Sequence, residues 1–97
     1  MNQVAVYPGT FDPITNGHLA ILERATKIFD TIILSVAETA RKDPFFSLDD
    51  RVAMAKEATA DFGGVLVTAC HGLLVDFMRE QSATVILRGL RAISDFD

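Results

Sequence analysis

Only one cysteine, Cys70, stands in this chain of 97 residues. That excludes an internal disulfide and a cysteine-held zinc cluster, and it suits a reducing compartment. Basic residues are scarce as well: nine Lys and Arg face 13 Asp and Glu, for a net charge of −4. Such a balance argues against a general nucleic-acid binder and against a basic protein of the membrane surface. Long apolar runs are missing. The longest uncharged stretch, Phe62 to Val75, has 14 residues and is broken by Gly63, Gly64, His71 and Gly72, too short to span a bilayer. Met1-Asn2-Gln3 offers neither the basic stretch nor the apolar run of a signal peptide, so a cytoplasmic, soluble domain is expected. The GxxxxGK[ST] loop, the GxGxxG turn and the HExxH pair are all absent, and no Ser or Cys sits in an evident nucleophile elbow. A P-loop NTPase and an ordinary dinucleotide dehydrogenase are thereby excluded by motif.

What is present is an ordinary globular composition, 49% hydrophobic and 23% charged, enough for one core. Apolar runs alternate with helical periodicity. Strands are predicted at Val4 to Tyr7, Thr31 to Val36, Val65 to Thr68 and Thr84 to Leu87. Helices are predicted from Gly17 to Phe29, from a Ser47-x-x-Asp50 start to about Ala60, and from Leu73 to Gln81, with a further one beginning near Ala92. Val52, Ala55 and Thr59 form the expected inner face of the second helix. Strand-helix alternation with short loops implies an α/β, Rossmann-like, doubly wound parallel sheet of order 3-2-1-4. The chain ends as its last predicted helix begins, so residues 1–97 are expected to be the front part of a longer domain.

In such a sheet, ligands bind beyond the carboxyl ends of the strands, where the strand order reverses. The loops at that edge hold Pro8 to His18, Arg41 and Lys42, His71 to Leu74, and Arg88 to Arg91. Four of the nine basic residues and both histidines therefore gather at one edge of an otherwise acidic protein. A small anionic ligand suits this better than a long polyanion. Phosphate is favoured: Gly17 and His18 open a helix whose free N–H groups attract an anion, and Gly9 allows close backbone approach. Arg88 and Arg91 flank the start of the last predicted helix, where a cation is unfavourable unless an anion offsets it. A phosphate site without a covalent nucleophile points to direct displacement between bound substrates, driven by positioning and charge stabilisation.

Tyr7-Pro8-Gly9-Thr10-Phe11-Asp12-Pro13-Ile14-Thr15-Asn16-Gly17-His18 resembles the signature of the phosphopantetheine adenylyltransferases, nucleotidyltransferases marked by (H/T)xGH. Arg88-Gly89-Leu90-Arg91-Ala92, followed by Asp95-Phe96, is similar to the second motif of that family, and Lys42 occupies the matching loop. The resemblance implies transfer of an adenylyl group from ATP to 4′-phosphopantetheine, giving dephospho-coenzyme A and pyrophosphate with Mg²⁺, in a homohexamer. It implies that His18 stabilises charge at the α-phosphate and that Thr10 orients the attacking phosphate. Lys42, Arg88 and Leu74 would hold phosphopantetheine; the Thr10–Phe11 backbone, His18, Gly89, Leu90 and Arg91 would contact ATP. No metal ligand is expected from the protein. Sister enzymes acting on nicotinate mononucleotide or a polyol phosphate are the alternative, which Thr15 and the arginine motif disfavour. A non-catalytic nucleotide-binding module is the other alternative.

Neighbouring residues are expected to play structural parts. Asp12 precedes a proline and reads as a turn former rather than a metal ligand. Cys70 reads as a small packed residue, His71 as a border of its loop, Arg41 as a surface residue, and Phe45 and Phe46 as packing or subunit contacts.

Overall fold

The computed structural model of the chain describes residues 3–38, 45–72, 74–81, 83 and 85–88. Seven elements follow in order: β1 (Val4–Gly9), α1 (Asn16–Ala25), β2 (Thr31–Ala37), α2 (Leu48–Ala58), β3 (Val65–Cys70), α3 (Leu74–Glu80) and β4 (Val85–Ile86). They build one parallel sheet of order β3-β2-β1-β4, as the alternating pattern predicts. In register, Val4 of β1 faces Thr31, Ile32 faces Val65, and Ala5 faces Val85.

Alternation along the strands divides the core between two faces. Tyr7, Ile32, Leu34 and Val36 pack with Leu22 and Ala25 of α1 and Ala55 of α2. Val6, Ile33 and Cys70 point the other way, against Phe77 of α3. Helices on both faces follow from right-handed crossovers: the chain winds outward from β1 to β3 over one face and returns to β4 over the other. Leu22, Ile32 and Leu34 are fully buried, each contributing about 1.5–3 kcal/mol by removal from water.

The boundaries differ from the periodicity in instructive ways. β1 continues through Pro8 and Gly9, paired with Ser35 and Val36. Proline is tolerated there because, among the described residues, β4 pairs with β1 only at Ala5 and Val6. Helix α1 stops at Ala25 rather than Phe29. Residues 26–28 unwind as turns, with the Ile28 and Phe29 amides both donating to the Ala25 carbonyl, and Phe29 still packs against the core. The turn before β3 needs Gly64: its φ is +80°, and a Cβ there would lie 2.7 Å from the Asp30 carbonyl oxygen. Ala55 of α2 and Thr59 at its C-cap are buried as expected and Val52 is partly buried, but Arg51 is buried too, only 2% exposed and the largest buried side chain among the described residues.

Candidate functional site

The carboxyl ends of β1, β2 and β3 open into two cavities. One, of about 500 Å³, is lined by Pro8, Gly9, Thr10, Ala37, Cys70 and Leu74, among others. The second, of about 380 Å³, is formed by Tyr7 through Pro13 together with His18. Both are within the usual size of small-ligand sites. Pro8, Gly9 and Thr10 belong to both, so the turn after β1 is the wall between them.

His18 reaches the second cavity by local chemistry. Thr15 caps α1 and its Oγ1 accepts from the His18 amide at 3.4 Å. In return the Thr15 amide donates to His18 Nδ1 at 2.9 Å. This is a capping box in which histidine takes the place of the usual Glu or Gln. Since Nδ1 accepts, the neutral ring carries its proton on Nε2 and presents an N–H donor. Burial lowers the pKa of His18 below its ordinary value. The helix N-terminus adds to the preference for a neutral ring.

Phe11 supports that ring. It adopts φ +48°, a conformation uncommon for a bulky residue. Its side chain is buried and meets His18 edge-on at 4.8 Å and Tyr7 edge-on at 5.3 Å between centroids. A Cβ on Gly9 would approach the Phe11 ring at 3.0 Å. The first demand on Gly9 is therefore internal: its missing side chain makes room for Phe11. The Tyr7 hydroxyl, whose pKa is raised by burial, and the Ser35 hydroxyl are buried without a hydrogen-bond partner among the described residues.

Two clamps hold the loops. Both carboxylate oxygens of Asp12 accept backbone amides, from Phe45 at 2.8 Å and Phe46 at 2.9 Å. Asp12 is structural, as its place before proline suggests. Arg51 donates from Nε to the Phe46 carbonyl at 3.1 Å, and from one terminal nitrogen to the carbonyls of Thr10 at 2.8 Å and Ala37 at 2.9 Å. Arg51 belongs to none of the sequence motifs. The spacing Arg51, Ala55, Thr59 along one helical face was the available signal for an inward arginine.

Among the other predicted residues, Thr10 and Leu74 meet at the larger cavity, while Thr10, Phe11 and His18 meet at the smaller. Arg88 follows β4 and is exposed; the preceding Leu87 amide donates to the Val6 carbonyl at 2.8 Å, which keeps Arg88 on the same sheet edge beside β1. Arg41, Lys42, Gly89, Leu90, Arg91 and the last predicted helix lie outside the described residues. Cys70 is buried and packed, as expected. His71 Nδ1 lies 3.1 Å from Glu38 Oε1 at the border of the larger cavity. Phe45 is 75% exposed and Phe46 37% exposed. Among the described residues no group of three or more His, Cys, Asp or Glu could hold a metal ion, and no helix is long and apolar enough to cross a membrane.

The fold and the edge-mounted site define a class: the chain belongs to the cytidylyltransferase-like family, which residues 6–97 match. More narrowly, it is 59% identical over all 97 residues to the phosphopantetheine adenylyltransferase of Thioalkalivibrio sulfidiphilus, and spans 61% of that relative's length. Both findings bear out the resemblance drawn from the Tyr7–His18 segment. Among solved structures, the NadR protein in complex with NAD and AMP-PNP superimposes with a TM-score of 0.66 at 16% identity, over 88% of this chain and 29% of that one. The bifunctional NMN adenylyltransferase/ADP ribose pyrophosphatase of Francisella tularensis, complexed with AMP and a manganese ion, gives 0.61 at 22% identity, over 84% of this chain and 25% of that one. These two establish the shared fold.

Proposed function

We propose that the whole polypeptide transfers the adenylyl group of ATP to 4′-phosphopantetheine, forming dephospho-coenzyme A and releasing pyrophosphate. The observation that carries this reading is the pair of adjoining cavities with Thr10 in their common wall. A two-substrate displacement needs such a place, where donor and acceptor meet across one turn of chain. The 59% identity to a phosphopantetheine adenylyltransferase supports the choice of substrates.

In this reading the α- and β-phosphates of ATP lie in the smaller cavity, against the N-terminus of α1. Phosphopantetheine occupies the larger one, its arm along Leu74. A phosphate oxygen of the acceptor forms a bond to the α-phosphorus as the bond to the β-bridging oxygen breaks, and pyrophosphate leaves with that electron pair. His18 donates its Nε2–H to the α-phosphate as negative charge builds there, a contact that strengthens in the transition state. Thr10 orients the attacking phosphate. Lys42 and Arg88 hold the acceptor, while Phe11, Gly89, Leu90 and Arg91 complete the ATP contacts. The described residues do not form a magnesium site of their own. Mg²⁺, which triphosphates habitually bind together with water, would enter with ATP and offset its phosphate charge.

Residues 1–97 form the front part of the nucleotidyltransferase domain in this reading. The exposed Phe45, Leu66 and Ile28 support assembly into the expected homohexamer. The buried Cys70 supports a cytoplasmic setting. Pyrophosphate release by the whole polypeptide, measured with ATP, Mg²⁺ and a panel of acceptors, tests the proposal. Phosphopantetheine should be preferred; preference for a mononucleotide would overturn the substrate assignment.

A further inference from the structure

A buried arginine usually answers a carboxylate. Arg51 makes no ion pair among the described residues, although it is only 2% exposed. Its three acceptors are backbone carbonyls from three separate segments: Thr10 after β1, Ala37 at the end of β2, and Phe46 ahead of α2. Thr10 borders both cavities and Ala37 the larger one, whereas Arg51 lines neither. From the other side, Asp12 binds the amides of Phe45 and Phe46. Segments that line the two cavities are thus tied to one guanidinium that itself lines neither.

We propose that Arg51 is a positioning residue of the adenylyl transfer: it fixes Thr10, and with it the wall between the two cavities, at the separation in-line attack requires. This rests on the function proposed above. The planar fork of arginine can serve three carbonyls at once in fixed directions. Lysine would keep the charge but lose the separate Nε donor, so the Thr10 and Ala37 carbonyls, which share one guanidinium nitrogen, would shift relative to that of Phe46. A displacement of this kind costs rate rather than binding, because the substrates still fit their cavities while their reacting atoms lose alignment.

The test is a double-mutant cycle on the whole polypeptide, with Arg51→Lys and Thr10→Ala made singly and together. Arg51→Gln runs alongside, so that a folded variant is at hand if lysine is poorly tolerated. Circular dichroism and melting select an assay temperature well below unfolding. The expected result is a fall in kcat of about 10–100-fold for Arg51→Lys, with KM for ATP and for phosphopantetheine within about threefold. In the Thr10→Ala background the same substitution should cost less than about threefold, because the two residues act in series. Full additivity, or native kcat in the folded variant, would overturn the proposal and leave Arg51 a core residue. So would failure of both Arg51 variants to fold. An inactive wild-type polypeptide would instead overturn the proposed reaction, and this inference with it.

Discussion

The Thr15 amide donates to Nδ1 of His18 across 2.9 Å, so the residue that caps α1 also selects which nitrogen of the imidazole carries the proton. Protonation at Nδ1 would set two donors against each other. The neutral Nε2–H form is the one the fold provides.

A pH dependence follows from the burial of His18. Burial holds the pKa of folded His18 below its ordinary value of 6.5. Unfolded His18 thus takes up its proton at a higher pH than the folded residue. Between the two values the unfolded state binds more protons, so this group's contribution to stability falls as pH drops below about 6.5. Nitrogen-15 NMR of the histidine rings should show an Nε2–H tautomer for His18 at pH 7 and a midpoint below 6.5. An Nδ1–H tautomer would contradict the assignment.

Replacement of His18 by alanine should reduce kcat on the order of 10²–10³-fold, the loss associated with one charge-stabilising donor. The side chain is only half-buried, and the cap retains Thr15 Oγ1, so the melting temperature should change little. Turnover near the wild-type rate would remove His18 from the reaction.

Leu74 lines the larger cavity and makes no hydrogen bond there through its side chain. Leu74→Ala should raise KM for phosphopantetheine by about 5–20-fold, the value of a few lost methylenes, with kcat and KM for ATP nearly unchanged. A change confined to ATP would reverse the assignment of the two cavities.

Asp12→Ala would strip two amides of a charged acceptor at once. Hydrogen exchange at Phe45 and Phe46 should accelerate, and stability should fall by about 1–3 kcal/mol in urea titration. Asp12→Asn, which keeps one acceptor oxygen, should fall between wild type and alanine. Were Asp12 a metal ligand instead, excess Mg²⁺ would restore Asp12→Ala activity, and the structural assignment would fail.

Gly64→Ala places a methyl group 2.7 Å from the Asp30 carbonyl oxygen at φ +80°. The combined clash and left-handed backbone should cost about 1–3 kcal/mol, read as a lower urea midpoint at unchanged slope. Gly63→Ala, where a Cβ would meet nothing within 4 Å, is the control expected to be mild.

By itself the chain of letters determined the alternation of strands and helices, through spacings of two or 3.6 residues, and with it the sheet order. That Thr15 caps α1 and meets the His18 ring is seen only in the folded chain. The helical spacing overshot at Phe29, because periodicity persists through a turn that the hydrogen bonds to Ala25 have already ended. Only the folded molecule could join Arg51 to Thr10, 41 positions away, or Asp12 to Phe45 and Phe46, 33 and 34 positions away. Such contacts leave no periodic trace, since they join a side chain to main-chain groups that every residue possesses. Which amide or carbonyl is met is decided by how the sheet edge brings distant loops together, and that decision belongs to packing.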